Sequence, residues 1–138
     1  MTTNAKNLPS LVKTLTQEQL KRYADASGDH NPLHLDAQFA GTTQFGGVVA
    51  HGMLTLAFVS EMMLAAFGRR WLESGSLRVR FKGAAYVGDS VETWGQVTRE
   101  ERQDSQQRIV CSVGVRNHEN RQEIISGTAT VRINDPQG

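Results

Sequence analysis

The run GMLTLAFVSEMMLAAF at 52–67 constrains the fold of this chain more than any other stretch. Met53, Leu54, Leu56, Ala57, Phe58, Val59, Met62, Met63 and Leu64 point in nearly every direction around a helix. A helix apolar on all sides is expected to be enclosed by other structure. Gly46-Gly47 breaks the chain before it and Gly68 ends it. At 1.5 Å per residue such a helix runs roughly 22 Å, long enough to cross a small domain. Beyond it the period changes to two. Leu77, Val79 and Phe81 alternate with Arg78, Arg80 and Lys82; Ile109, Cys111, Val113 and Val115 form a similar series; Ile125, Gly127, Ala129, Val131 and Ile133 form another. Residues 91–98 make a further strand, and 11–15 a short N-terminal one. The polar connections 99–106 and 117–120 are short enough for antiparallel neighbours. One apolar helix followed by successive long strands predicts an α+β fold, a curved antiparallel sheet wrapped round that helix.

The chain has 138 residues, which suits one domain spanning 1–138, with flexible ends at about 1–8 and 134–138. Fifteen basic residues face fourteen acidic ones without a like-charged block, which argues against nucleic acid or an anionic membrane as partner. Cys111 is the single cysteine, so no internal disulfide can form and a reducing, cytoplasmic setting is expected. The opening MTTNAKNLPS lacks the apolar run of a secretory signal. The stretch 53–67 is interrupted by Thr55, Ser60 and Glu61 and falls short of the ~20 residues a membrane span requires.

Upstream of the long helix, Thr16-Gln-Glu-Gln19 has the form of a capping box. It predicts a helix over 17–26 that buries Leu20, Tyr23 and Ala24 and stops at Gly28. Asp36 is placed to cap a short helix through Phe39 and Ala40. Between them lies SGDHNPLHLD, residues 27–36. Gly-Asp and Asn-Pro are turn dipeptides, so the segment reads equally as a connector with capping side chains. As a zinc site it is weak, because Pro32 prevents the helical geometry a His30–His34 pair would need. As chemistry it offers an acid–base pair, Asp29 and His34. His51-Gly52 then opens the apolar helix, where unpaired N–H groups and the dipole favour negative charge, although glycine could simply start the helix there.

Three stretches resemble one family. YADASGDHNPLHLDAQFA at 23–40 closely resembles the hydratase motif of MaoC-like, (R)-specific enoyl-CoA hydratases. AHGMLT at 50–55 and RVRFKGAAYVGDSVE at 78–92 are similar to that family as well, and the likeness runs from about residue 10 to 133. The resemblance implies a hot-dog fold and a homodimer or higher homo-oligomer with sites near the subunit interface. Its catalytic aspartate and histidine fall on Asp29 and His34, and its backbone oxyanion donor on Gly52. Asn31, His51 and Met53 are the expected substrate contacts, and no metal or other cofactor is implied. The implied reaction is the reversible, syn addition of water to a 2-enoyl-CoA, giving the (R)-3-hydroxyacyl thioester. The segment GRRWLESGS at 68–76 departs from the family pattern where the acyl pocket is bounded.

Other functions compete. The same site could dehydrate a 3-hydroxyacyl group on a carrier protein. A thioesterase would need a base aimed at the carbonyl carbon, and a pure acyl-CoA-binding module has no use for an acid–base pair. Arg78, Arg80 and Lys82, with Arg69 and Arg70 nearby, read first as a solvated face and second as a phosphate contact. Met62 and Met63 read as core, Cys111 as a small buried hydrophobe, His118 as a chemically silent turn residue, and Trp71 as a candidate for the pocket mouth.

Overall fold

A computed structural model describes residues 6–134. The chain runs β1 (Val12–Thr14), α1 (Gln17–Ser27), a 3-10 turn (Pro32–His34), α2 (Ala37–Gly41), α3 (Gly52–Phe67), α4 (Arg69–Ser74), β2 (Ser76–Phe81), β3 (Ser90–Gln103), β4 (Gln106–Asn117) and β5 (Glu123–Asn134). The strands form one antiparallel sheet in the order β1-β3-β4-β5-β2, the hot-dog architecture expected. The expected flexible ends fall outside the described residues at 1–5 and 135–138. Residues 6–8 depart from that expectation: Leu8 N–H donates to Gly95 C=O at 2.9 Å, and Val97 N–H to Lys6 C=O at 2.8 Å.

Local chemistry accounts for the helix limits. Thr16 Oγ1 accepts the Gln19 N–H at 3.1 Å and starts α1. The reciprocal half of the capping box is not made, for Gln19 Oε1 is buried without a partner. Gly28 adopts φ +83° and returns its N–H to Ala24 C=O, a left-handed stop that suits glycine. Asp36 Oδ1 accepts from Gln38 and Phe39 and starts α2.

The core lies between α3 and the sheet, where Val59, Met62 and Met63 meet Val113, Val115, Ile125, Ala129 and Val131. The helix passes so close to β3 that a side chain at Gly95 would meet Met62 Cε at 2.8 Å. Full enclosure of α3 is not observed. The sheet buries Leu54, Phe58, Val59, Met62 and Met63, while Met53 and Leu64 stay 59% and 42% exposed on the uncovered side.

Two further expectations need correction. The connection 99–106 is mostly strand, because β3 and β4 continue as a paired ribbon to a tight turn at Asp104, where φ is +58°. Trp71 is buried on α4, where its Nε1–H donates to Ser60 Oγ at 2.9 Å. Its ring packs beside Ser60, eight residues and roughly 12 Å along the α3 axis from Gly52, and lines neither cleft there. No helix among the described residues is long and apolar enough to cross a membrane.

Candidate active site

The site is framed by the strap 48–50, which leads into α3. On one side Ala50 N–H donates to Ala85 C=O at 2.7 Å and Val87 N–H to Val48 C=O at 3.1 Å. On the other side Val49 N–H donates to Leu33 C=O at 3.3 Å. The strap thereby fixes the turn 29–34 against the start of α3.

The turn is held by its own polar side chains. Asp29 Oδ1 accepts the Asn31 N–H at 3.2 Å, and Asn31 Oδ1 accepts the Leu33 N–H at 3.0 Å. Pro32 opens the 3-10 turn, and Gln17 of α1 donates its Nε2–H to His34 C=O at 2.9 Å. The connector reading of this segment is thus observed directly, and it leaves one Asp29 carboxylate oxygen without a role in the turn among the described residues.

Three of the expected residues converge. One ligand-type atom from each of Asp29, His34 and His51 lies within 4.8 Å of the others. His30 is turned away, pairing through Nε2 with Asp25 Oδ1 at 3.2 Å, so the clustered histidines are His34 and His51 rather than His30 and His34. His34 Nδ1 lies 2.6 Å from Val49 C=O and His51 Nε2 lies 3.1 Å from Asp29 C=O. A carbonyl can only accept, so each of those nitrogens carries the proton. In the neutral ring His34 then keeps its lone pair on Nε2, and His51 keeps its lone pair on Nδ1.

The two imidazoles stack with centroids 3.9 Å apart and planes 24° apart, and Tyr23 meets His51 edge-on at 4.8 Å. His51 is only 2% exposed, yet it is among the residues that line the cleft beside Asp29. Burial pulls its pKa below the ordinary histidine value, the hydrogen bond to Asp29 C=O opposes this, and the neighbouring His34 adds to the lowering. His51 is accordingly neutral at physiological pH.

Gly52 begins α3. His51 C=O accepts from Leu54 and Thr55, and no side chain among the described residues caps the helix, which leaves the Gly52 and Met53 N–H groups to meet an anion. Two clefts meet here. One, of about 440 Å³, is lined by Tyr23, Asp29, His51, Gly52, Met53 and Phe81. The other, of about 450 Å³, is lined by His34, Val49, Gly52, Phe81, Ala85 and Ile124, among others. Asp29 and His34 thus open into neighbouring clefts that share Gly52 and Phe81. The Phe81 ring stands between them, 3.1 Å from where a Cβ on Gly52 would be. Asn31 is exposed with its Oδ1 engaged in the turn, and Met53 borders the Asp29 cleft.

Phe81, Tyr23 and the Val49 carbonyl were not singled out from sequence as parts of the site. Phe81 is simply the last apolar residue of an alternating strand, and a carbonyl leaves no trace in residue identity. His118, expected to be silent, instead joins Arg116 and Arg121 around Glu92, far from this site in the sheet.

The chain matches known proteins over most of its length. The MaoC like domain matches residues 2–131. An (R)-specific enoyl-CoA hydratase of Rhodospirillum rubrum is 32% identical over 130 residues, covering 90% of this chain and 83% of that protein. A 3-hydroxybutyryl-CoA dehydratase of Methylorubrum extorquens is 30% identical over 129 residues, covering 89% and 76%. The solved (R)-hydratase of A. caviae superposes with TM-score 0.79 at 26% identity, over 92% of this chain and 93% of that one. The chain belongs to the MaoC-like domain family, and is a hydro-lyase of its hydratase–dehydratase kind.

Proposed function

We propose that the protein adds water reversibly to a trans-2-enoyl-CoA and forms the (R)-3-hydroxyacyl-CoA, with Asp29 and His34 as the acid–base pair. The observation that carries this reading is their convergence beside the uncapped start of α3, with His34 Nε2 left free by the bond from Nδ1 to Val49. One water hydrogen-bonded to the Asp29 carboxylate and to His34 Nε2 loses a proton as its oxygen attacks the β-carbon. The electron pair moves onto the thioester oxygen, where the Gly52 N–H stabilises the enolate. The pair then returns a proton to the α-carbon from the same face, which makes the addition syn.

Asn31 and Pro32 hold the turn, and Met53 borders the path of the substrate. We further infer a homodimer, because α3 leaves Met53 and Leu64 uncovered and β2 is an unpaired edge ending in the half-exposed Phe81. Cys111 is the single cysteine and is buried and free, so no internal disulfide is used, which suits a reducing compartment such as the cytoplasm.

The test is a series of 2-enoyl-CoA thioesters of increasing length, followed by loss of the conjugated chromophore with chiral analysis of the product. The reading expects (R)-3-hydroxyacyl-CoA. An (S) product, release of free thiol, or no turnover at any length overturns it.

A further inference from the structure

We propose that His51 is a positioning residue that holds both catalytic groups at once, the Asp29 segment through its Nε2–H and the His34 ring through its face. The inference rests on the hydration reading above and extends it to a residue that need not touch substrate. His51 is 2% exposed and occupies the N-cap position of α3 without capping it by a side-chain hydrogen bond. Its Nε2–H donates to Asp29 C=O at 3.1 Å, its ring stacks on His34 at 3.9 Å, and Tyr23 abuts it at 4.8 Å. Its Nδ1 is buried with no partner among the described residues.

That orphaned nitrogen is informative. A ring kept only to fill the slot would be better as phenylalanine, which has no unpartnered acceptor to bury. An imidazole supplies what phenylalanine lacks, an N–H aimed at the carbonyl of the residue whose carboxylate is to hold the water. The charged and titratable groups facing it are Asp29 and His30 from the loop, His34 from the 3-10 turn and Tyr23 from α1. A neutral ring can lie against His34 while His34 takes up a proton, whereas a second cation there could not.

The experiment compares wild type with His51→Phe, which keeps an aromatic face without the N–H, and His51→Gln, which keeps an amide donor without the face. Misplacement of catalytic groups by a fraction of an ångström predicts kcat lower by about 10–100-fold in both variants, with KM within about threefold. His51→Phe should melt close to wild type, since loss of the bond to Asp29 C=O is offset by removal of the orphaned acceptor. The inference is overturned if the loss falls in KM with kcat intact, or if both variants keep kcat within about threefold.

Ring-nitrogen NMR separates its failure from failure of the hydration reading. In wild type, His51 should appear as the Nε2–H tautomer and titrate below an exposed histidine, and His34 as the Nδ1–H tautomer. His51→Phe should shift the His34 nitrogens. If wild type turns over no enoyl thioester, the hydration reading falls and these spectra alone decide the positioning. A His51 that titrates like an exposed histidine, or His34 nitrogens unmoved by the substitution, overturns it.

Discussion

Asp29→Asn isolates catalysis from folding because of how Asp29 is held. Its Oδ1 accepts the Asn31 N–H at 3.2 Å, and an asparagine oxygen can accept the same bond. The contact with His51 is made by the Asp29 backbone carbonyl, which the substitution leaves in place. The residue is exposed, so the change in stability should stay within about 0.5 kcal/mol. What disappears is the negative charge and the ability to take a proton from water. Loss of one positioned acid–base group lowers rates by about 10²–10⁴-fold. At about 1.36 kcal/mol per decade that is about 2.7–5.4 kcal/mol of transition-state stabilisation. The assay pairs the decay of enoyl-thioester absorbance with a urea melt of the same preparation. A variant with hydration within threefold of wild type would refute the role given to the carboxylate. So would an inactive variant whose melt showed it to be unfolded, because the turn would then depend on the charge itself.

Three further outcomes follow from the geometry. Phe81→Ala removes the partition between the two clefts at Gly52, and should raise kcat/KM for long 2-enoyl-CoA relative to short by at least several-fold; an unchanged length profile counts against a gating ring. Gly127→Ala should destabilise the fold by about 1–3 kcal/mol in a thermal melt, since its Cβ would press on the Arg78 and Val79 backbone of β2. Burial raises the Glu92 pKa, but hydrogen bonds from His118 and Arg116 and the charges of Arg116 and Arg121 outweigh it and hold it below the ordinary carboxylate value. The unfolded chain therefore binds its proton first on acidification, so the stability from Glu92 is present above the unfolded pKa and lost as pH falls through the folded one. Glu92→Gln should accordingly cost stability at pH 7 and progressively less below about pH 4, as read in urea melts across pH.

The limits of α3 were readable because glycine stands at both ends of an unbroken apolar run. The extension of β3 and β4 was not, because that ribbon projects beyond the core and has no buried face to impose alternation. It is held instead by ladder bonds and by exposed pairs such as Arg108 with Glu101 at 2.8 Å and Gln107 with Glu100 at 3.0 Å. The exposure of Met53 and Leu64 was hidden for a related reason. Hydrophobicity indicates that a face wants cover but not whether its own chain supplies it. Asp29, His34 and Gly52 could be picked out because an acid, an imidazole and a helix origin are chemical types visible in a sequence. The division of the site by Phe81 could not, since it depends on the register that ends β2 beside Gly52.

The two histidines show where residue identity stops and geometry begins. Both follow a turn or strap and both are near a glycine or proline; the family motif singles out His34 for chemistry, but residue identity does not say which ring nitrogen faces the site or what His51 supports. The backbone decides. The Val49 carbonyl accepts the Nδ1–H of His34, which leaves the Nε2 lone pair of a partly accessible ring for the proposed chemistry. The Asp29 carbonyl accepts the Nε2–H of His51, which leaves its Nδ1 buried in the interior. Opposite tautomers thus follow from two carbonyls on different segments. The carbonyl that fixes His51 belongs to the aspartate proposed to work with His34, so whatever displaces the loop at Asp29 also releases the support behind His34. Acid and base are therefore mechanically coupled, and a substitution at either should disturb the ring signals of the other even when the global fold survives.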